Sequence, residues 1–446
     1  MRKYSKLFIY LGLLLIMILA VPQQVMAASG PTIDTGDTAF MLICTALVFL
    51  MTPALALFYG GMVRQKNVLS ITLQCLTIIA LVSVQWVLFG YTLGFGPDVG
   101  HLIGSLHWLG LNGVNSLPNA VYAATIPHQV FIVYQLMFAI ITVALITGAF
   151  AERMRFVMFI AFVLLWTTFV YDPLAHWVWG QGGWLRQLGA LDFAGGTVVH
   201  ISSGISGLVA AMFLGRRSTS SQESMVPHNL PMTILGAGLL WFGWFGFNAG
   251  SALAANGLAA SAFLVTNTCA AMGALSWMAA EWLDHGKPTS LGAASGVVAG
   301  LVAITPAAGF VGPFSAILIG LLVGPLCYWA VSQLKSRLGY DDALDAFGIH
   351  GVGGILGALA TGVFATTTIN SAGANGLLFG NPKLLLIQLV AVLVTIFFSG
   401  GMTFLILKGL SLFGSLRVSE EEEEMGLDLA LHGEDAYNYG EYSATA

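Results

Sequence analysis

Residues Asp192 to Gly204 read DFAGGTVVHISSG and place a carboxylate and an imidazole eight residues apart in an otherwise apolar or small run. An ionised side chain inside a membrane span is costly to desolvate, so an ionisable residue there is a functional candidate by default. A histidine avoids that cost by remaining neutral. The run therefore predicts a membrane helix in which His200 has a chemical role.

A second stretch, DAFGIHGVGG from Asp345 to Gly354, repeats this arrangement. An aspartate precedes an apolar run, His350 follows one to two helical turns later, and small residues come next. By our count the two stretches begin spans five and ten, so two five-helix halves run in opposite directions, as in the inverted repeats of many transporters. We predict that the two imidazoles meet near the membrane midplane, share one N–H···N bond and line a path for a small neutral solute. The alternative is two separate, satisfied core histidines. Asp192 and Asp345 are predicted to orient or cap helix starts.

Composition defines the class of protein. Of 446 residues, 57% are hydrophobic and 8% are charged, and the mean hydropathy is +0.84. Such a chain is an all-α polytopic membrane protein, because lipid requires every backbone amide to be paired internally. The four cysteines lie in apolar segments without C-x-x-C spacing, so we expect neither disulfides nor a metal site.

The apolar runs predict eleven transmembrane helices, which form a 5+5 inverted repeat plus one additional helix. The predicted spans are 38–63, 69–95, 128–151, 155–174, 194–215, 231–253, 259–280, 290–309, 313–334, 346–367 and 384–412.

Basic residues give an independent test of this count, because cytoplasmic loops are enriched in Lys and Arg. Eleven of the sixteen basic residues fall on one side of the predicted topology, and the other side has only Arg186 and Lys383. Those on the basic side are Arg64, Lys66, Arg153, Arg155, Arg216, Arg217, Lys287, Lys335, Arg337, Lys408 and Arg417. This bias predicts a mature N-terminus outside and a C-terminus in the cytoplasm.

The two ends of the chain differ from the membrane part. Residues 1–27 combine a basic start, a short apolar run and small residues before a cleavage site, which predicts a removed signal peptide. Residues 28–412 form the predicted membrane domain. Residues 413–446 form a cytoplasmic tail, and nine of the 21 acidic residues lie in its last 27 positions. Such charge runs usually only solvate.

Six separated motifs resemble those of the ammonium transporter (Amt/Mep/Rh) family of the bacterial type. They are TPALALFYGGMVRQKN, GAFAERMRF, LDFAGGTVVHISSGISGLVAA, GWFGFNAGSA, DAFGIHGVGGILGALATGVF and LRVSEEEEEMGLDLALHGEDAYN. The resemblance implies an eleven-helix subunit of a homotrimer in the inner cell membrane, with one narrow hydrophobic pore per subunit. It also implies that ammonium is recruited outside and conducted as ammonia, and that the tail contacts a PII-type signalling protein.

The resemblance also implies roles for individual residues. His200 and His350 correspond to the paired pore histidines, and Phe138 and Phe247 to the two stacked rings that gate the pore. Those that correspond to the outer recruitment site are Trp179, Phe138, Ser251 and, as a nearby structural carboxylate, Asp192. Tyr134 stands where the family usually has phenylalanine.

The chemistry of ammonium agrees with such a site. An aromatic face attracts a cation by about 0.5 to 2 kcal/mol, and a hydroxyl oxygen replaces a lost water. Potassium is of similar size but has no proton to give up, so a dry pore rejects it and passes ammonia. Whether the proton is released outside or follows separately is open; we favour electrogenic uptake with a relay along the two histidines.

Two other readings remain. One is an ammonium sensor that signals through its tail and a PII-type partner. The other is an intramembrane metalloenzyme using Asp192, His200 and His350, which is disfavoured because there is no H-E-x-x-H motif or third convergent ligand. We therefore expect a transporter rather than an enzyme, with no cofactor and no nucleic-acid partner.

Overall fold

The computed structural model describes residues 32–218 and 226–437. The predicted signal peptide, residues 1–27, lies outside the described residues. Within them the chain is a bundle of long helices joined by short turns, with larger loops on one side.

We number eleven helices in chain order, several of which contain a π-helical segment. They are α1 Thr35–Met62, α2 Gln65–Phe95, α3 His128–Phe150, α4 Phe156–Val178, α5 Gly196–Leu214, α6 Leu230–Ala252, α7 Gly257–His285, α8 Ser290–Ile304, α9 Pro313–Leu338, α10 Phe347–Phe364 and α11 Pro382–Ser411. A short helix, Glu420–Met425, lies in the tail.

Ten of these helices are long and apolar enough to cross a membrane, which confirms a multi-pass membrane protein. The exception is α8, predicted as 290–309. It is helical for only 15 residues and ends at Ile304, and Pro306 has no backbone N–H to donate if the helix were to continue. Residues 305–310 continue as buried turns. The count of eleven spans therefore stays a prediction.

The core of the bundle is formed by α3, α5, α8 and α10. Nearly every side chain of α3 and α8 is buried, as expected of helices that are apolar on all sides. By contrast, α7, α9 and α11 expose large apolar side chains such as Leu283, Phe314 and Phe397. These faces suit contact with lipid.

Helix contacts recur in two series. In the first, α1 packs on α2 and α3, α2 packs on α4, and α3 packs on α5. In the second, α6 packs on α7 and α8, α7 packs on α9, and α8 packs on α10. The two series meet where α1 contacts α6 and α5 contacts α10, and α11 packs on α4, α5 and α10.

The large loop between α2 and α3 contains two short antiparallel hairpins. Asp98–Val99 pairs with Ile103–Gly104, and Pro118–Asn119 pairs with Ala123–Pro127. The side of the bundle that carries this loop is called the vestibule side below. The opposite side, which carries Arg64, Glu152, Arg217 and Asp341, is called the basic face.

Candidate functional site

The two histidines occupy equivalent positions at the starts of two helices. α5 begins with the π-helical segment Gly196–Ile201, which contains His200. α10 begins with Phe347–Gly351, which contains His350. π-helical turns are rare and often occur at functional sites, because they shift side chains out of the regular helical register. Hydropathy alone gave no sign of these segments.

Asp192 holds the start of α5. Its carboxylate accepts backbone N–H bonds from Gly195, Gly196 and Thr197, each at 2.7 Å, and a longer one from Val198. The Thr197 hydroxyl also donates to it. Because its oxygens are occupied by these donors, Asp192 is a structural group here, in agreement with the predicted capping role.

At α10 the capping residue is Asp342, and the prediction of Asp345 for this role is wrong. Asp342 lies eight residues before His350, the same spacing as Asp192 to His200, and accepts the N–H of Phe347 at 2.7 Å. Burial raises the pKa of Asp342 to about 6. Asp345 instead has a positive φ of 61° and accepts a bond from Lys335 Nζ at 2.7 Å. The matched spacing was the sequence signal that could have identified Asp342.

The structure brings His200 and His350 together inside the bundle. Their Nδ1 atoms are 3.3 Å apart, the ring centroids are 5.4 Å apart and the ring planes differ by 17°. Both residues are buried. A hydrogen bond between two Nδ1 atoms needs one N–H and one lone pair, so two neutral rings must be opposite tautomers. One Nε2 then carries a proton and the other does not.

A small apolar cavity lies beside the imidazoles. It has a volume of about 10 Å³, roughly that needed for one water. Its lining is His200, His350, Met51, Leu55, Phe58, Ile141, Leu145, Val199, Leu240, Trp244, Phe247 and Val298. Trp244 stacks on His200 with centroids 5.4 Å apart and donates its indole N–H to Thr305 at 2.9 Å. A cavity of this size and lining accommodates a small neutral molecule better than a hydrated ion.

Two phenylalanine rings lie between this cavity and the vestibule side. Phe138 of α3 and Phe247 of α6 are stacked with centroids 4.2 Å apart and planes 22° apart, and both are buried. Phe247 lines the histidine cavity and Phe138 lines the outer pocket. The stacked pair therefore separates the outer pocket from the histidine cavity.

The outer pocket, called the vestibule below, has a volume of about 480 Å³. Trp179, Ser251 and Asp192 line it together with Phe138. The Trp179 ring meets Phe138 edge-on at 5.8 Å, and its indole N–H donates to the backbone carbonyl of Asp192 at 2.9 Å. The Ser251 hydroxyl donates to the Phe247 carbonyl at 2.9 Å, which leaves its lone pairs available to a cation.

Two residues of the vestibule lining, Gln135 and Arg186, were given no site role from the sequence, and Tyr134, which stands where the family usually has phenylalanine, lies behind this lining. The Tyr134 hydroxyl donates to the Phe247 carbonyl at 2.8 Å and lies 3.3 Å from the Ser251 hydroxyl, so Tyr134 supports Phe247 and Ser251 from behind. Gln135 lines the vestibule and has a buried Oε1 without a partner among the described residues. Arg186 also lines it and donates to the Trp179 carbonyl at 2.5 Å. Helical periodicity does not indicate which of these side chains faces the pocket.

The described residues contain no group of three or more His, Cys, Asp or Glu side chains that could hold a metal ion. Asp192, His200 and His350, the residues of the metalloenzyme alternative, do not form such a group. The two pockets instead present the aromatic faces of Trp179 and Phe138, the Ser251 hydroxyl and the two imidazoles, with the stacked phenylalanines between the pockets.

Comparison with known proteins gives one consistent family. The sequence profile described as Ammonium Transporter Family matches residues 39–437. An ammonium transporter of Bacillus subtilis is 58% identical over 90% of this chain and 98% of its own length. One of Aquifex aeolicus is 51% identical over 94% of this chain and 98% of its own.

Solved structures agree with these relatives. The crystal structure of Saccharomyces cerevisiae Mep2 superposes with a TM-score of 0.82 at 38% identity, covering 87% of this chain and 90% of Mep2. A structure described as "Sensor Amt Protein" has a TM-score of 0.82 at 32% identity, covering 89% and 98% of the two chains.

Proposed function

This chain belongs to the ammonium transporter family, and from that premise we propose how it carries ammonium. The family is one of channel-type membrane transporters, not enzymes. In our proposal the vestibule recruits NH₄⁺, the cation passes its proton to the unprotonated Nε2 of the histidine pair as it crosses the stacked phenylalanines, and NH₃ continues through the histidine cavity. The observation that carries the proposal is the imidazole pair, with Nδ1 atoms 3.3 Å apart, in an apolar cavity behind that ring pair.

Recruitment rests on Trp179, Phe138 and Ser251. The two aromatic faces attract a cation by about 0.5 to 2 kcal/mol. The Ser251 oxygen replaces one water of hydration, because its own proton is donated to the Phe247 carbonyl. Neither interaction is strong enough to trap the ion, so it can be passed on or released.

Deprotonation accounts for selectivity. A monovalent cation that enters the cavity of about 10 Å³ loses its hydration, and the apolar lining does not replace it. Ammonium avoids this cost by leaving a proton behind, and potassium cannot. The Phe138 and Phe247 rings keep bulk water from bypassing this filter.

The histidine pair gives the proton a path of its own. In opposite tautomers, one Nε2 accepts a proton and the other donates one, so a proton passed through the Nδ1···Nδ1 bond reverses both tautomers. Net uptake is then electrogenic. Release of the proton outside is the competing possibility, and it predicts no steady current.

The supporting architecture is also part of the proposal. We infer eleven spans in which the first five and second five form an inverted repeat, because the helix contacts recur in two series. Four π segments support it: α4 and α9 carry one in their second halves, and α5 and α10 carry one at their starts, whereas the π segment of α2 has no counterpart in α7. We further propose a homotrimer in the inner membrane with the basic face in the cytoplasm.

The test of transport is a current measurement on proteoliposomes after an ammonium step, compared with an equal potassium step. The intact protein is expected to give a saturating ammonium current and no potassium current. Phe247→Ala removes the water barrier and is expected to reduce this discrimination. Phe242→Ala, on the exposed face of the same helix, is the matched control. Equal currents for both cations in the intact protein would contradict the proposal.

A sensor function is the alternative, and the docked tail favours it. The Asp428 carboxylate accepts the backbone N–H bonds of Leu69 and Ser70 at 3.0 and 2.7 Å, at the start of α2. A solved neighbour is described as a sensor. Such a tail can report a change in the bundle to a PII-type protein at the basic face. If sensing is the main role, purified protein will bind ammonium without producing a saturating current.

A further inference from the structure

One wall of the vestibule is a short segment outside the helices and strands, residues 191–193, which is called the wall segment below. The Asp192 carbonyl in this segment accepts the Trp179 indole N–H at 2.9 Å. The Phe193 N–H donates to the Pro306 carbonyl at 3.1 Å. Because the indole is bonded to the wall segment, the position of the Trp179 ring depends on the contacts that hold this segment in place.

Gln388 of α11 holds the wall segment through Leu191. Its Oε1 accepts the Leu191 N–H at 2.8 Å, and its Nε2 donates to the Leu191 carbonyl at 2.8 Å. The same Nε2 donates to the Ala358 carbonyl of α10 at 3.0 Å. One side-chain amide thus pairs with both polar groups of a backbone residue. Gln388 is fully buried, so an apolar side chain in its place leaves Leu191 without either bond.

The contacts of Leu191 depend on this amide more than those of Ala358 do. Ala358 lies inside the regular α-helical part of α10, Val352–Phe364, where a carbonyl already accepts a helical N–H. Leu191 belongs to no helix or strand. The described residues that line the vestibule and the histidine cavity do not include Gln388. Any effect of Gln388 on permeation therefore acts through the wall segment.

We propose that Gln388 is a positioning residue for ammonium recruitment. Its amide fixes Leu191, and this fixes the neighbouring carbonyl of Asp192 that orients the Trp179 indole. Gln388 itself does not touch the cation. The inference rests on the recruitment role proposed above for Trp179, and it makes the apparent ammonium affinity depend on α11, which lies outside the two series of helix contacts.

The test is the ammonium current of proteoliposomes containing full-length Gln388→Met, measured over a range of ammonium concentrations. Methionine keeps the length of the side chain and removes all three hydrogen bonds. The half-saturating concentration is expected to rise at least about twofold, the smallest change that the loss of one cation–π contact gives. The saturating current at equal protein density is expected to stay close to that of the intact protein, because the contact between His200 and His350 is retained.

Thr403→Val is the matched control, because Thr403 is a fully buried polar residue of the same α11. Its hydroxyl accepts the Trp166 indole N–H at 3.0 Å and donates to Ser206 at 2.8 Å, about four helical turns from Gln388. Both variants lose buried hydrogen bonds, so both are expected to lower the midpoint of thermal denaturation. Only Gln388→Met is expected to raise the half-saturating concentration. An unchanged value in Gln388→Met, or an equal rise in both variants, overturns the proposal.

Gln388→Asn keeps the test decisive if Gln388→Met does not fold. Asparagine retains the amide but is one methylene shorter, so it does not reach both polar groups of Leu191. A half-saturating concentration above that of the intact protein is expected, and an equal value overturns the positioning role. The absence of a saturating ammonium current in the intact protein would instead overturn the proposed function itself.

Discussion

Among the described residues, Arg186 is the one basic side chain in the lining of the vestibule. A cation at this position works against the accumulation of ammonium. Its bond to the Trp179 carbonyl gives a structural reason for its presence, since it fixes the segment that carries the Trp179 indole. The residue therefore combines a favourable positioning effect with an unfavourable charge.

Arg186→Gln should separate these two effects, because glutamine keeps a hydrogen-bond donor and removes the charge. At roughly 8 Å in water two unit charges interact by about 0.5 kcal/mol. The half-saturating ammonium concentration is therefore expected to fall about twofold at low ionic strength, with a smaller change at high salt. Lys383→Gln removes the other basic charge predicted on this side, and it lies outside the vestibule lining. A higher half-saturating concentration in Arg186→Gln would mean that positioning dominates.

The motifs and their spacing predicted residues that are in contact in the structure. The structure puts Trp179 against Phe138, Phe138 against Phe247, and His200 against His350. The sequence did not indicate that Arg186 faces the vestibule or that Tyr134 lies behind Ser251. Both placements depend on how helices pack, and single-sequence patterns do not contain that information.

At the scale of elements, the starts of α5 and α10 depend on one carboxylate each. Asp192 and Asp342 bind the free N–H groups that open a π-helical turn. The histidine then projects from a segment whose position is fixed by that carboxylate. Orientation of the imidazoles is therefore a property of these two helix starts.

Asp192→Asn is expected to destabilise the protein by about 2 to 3 kcal/mol, because one amide NH₂ group would face backbone donors that now contact the carboxylate. The measurement is the midpoint of thermal denaturation in detergent. Asp34→Asn is the control: Asp34 is exposed, caps α1 through one bond to Asp37, and asparagine is an equally good capping residue. Equal midpoints for the two variants would contradict the role given to Asp192.

The bounds of ten predicted spans lie within a few residues of helices in the structure. The agreement is close because a helix that crosses a membrane must be apolar over its whole length, so its sequence shows where it begins and ends. The exception, α8, is enclosed by protein, where buried turns can complete a crossing that a short helix begins. Hydropathy does not distinguish apolar helix from apolar turn. For the same reason the π segments, which change register without changing composition, were not predicted.

In the whole molecule, ion pairs connect loops of the basic face that are distant in sequence. Glu152 accepts bonds from the Arg64 Nε at 2.7 Å, and Arg217 lies 3.5 Å from it. Asp341 accepts bonds from Arg153 and Arg217 at 2.8 Å each. These contacts connect the α1–α2, α3–α4, α5–α6 and α9–α10 connections in one network.

This network predicts a pH dependence of stability. Burial raises the pKa of Asp341, but the hydrogen bonds and charge of Arg217 and the charge of Arg153 outweigh it and hold that pKa well below its usual value. The contribution of Asp341 is therefore complete above the unfolded pKa of about 4 and is lost as the pH falls below it. The denaturation midpoints of the intact protein and of Asp341→Asn should differ at pH 7, and this difference should narrow progressively as the pH falls from about 4 toward about 2. A constant difference over this range would contradict the assignment.

The trimer and the orientation of the bundle in the membrane depend on surroundings that a single chain does not contain. The Lys and Arg bias predicts which side faces the cytoplasm. In agreement with it, one face of the structure carries Arg64, Arg153, Arg217 and Lys335. A trimer depends on surfaces whose apolar character is the same toward lipid as toward a neighbouring subunit.

The most direct test of the central claim is the saturating ammonium current of proteoliposomes containing His200→Leu or His350→Leu, at equal protein density. Leucine keeps the cavity filled and apolar but removes the Nδ1···Nδ1 bond and both proton-carrying atoms. We predict a loss of at least about tenfold in the steady current of each variant, with denaturation midpoints close to that of the intact protein. A saturating current that is unchanged in both folded variants would contradict proton passage along the histidine pair.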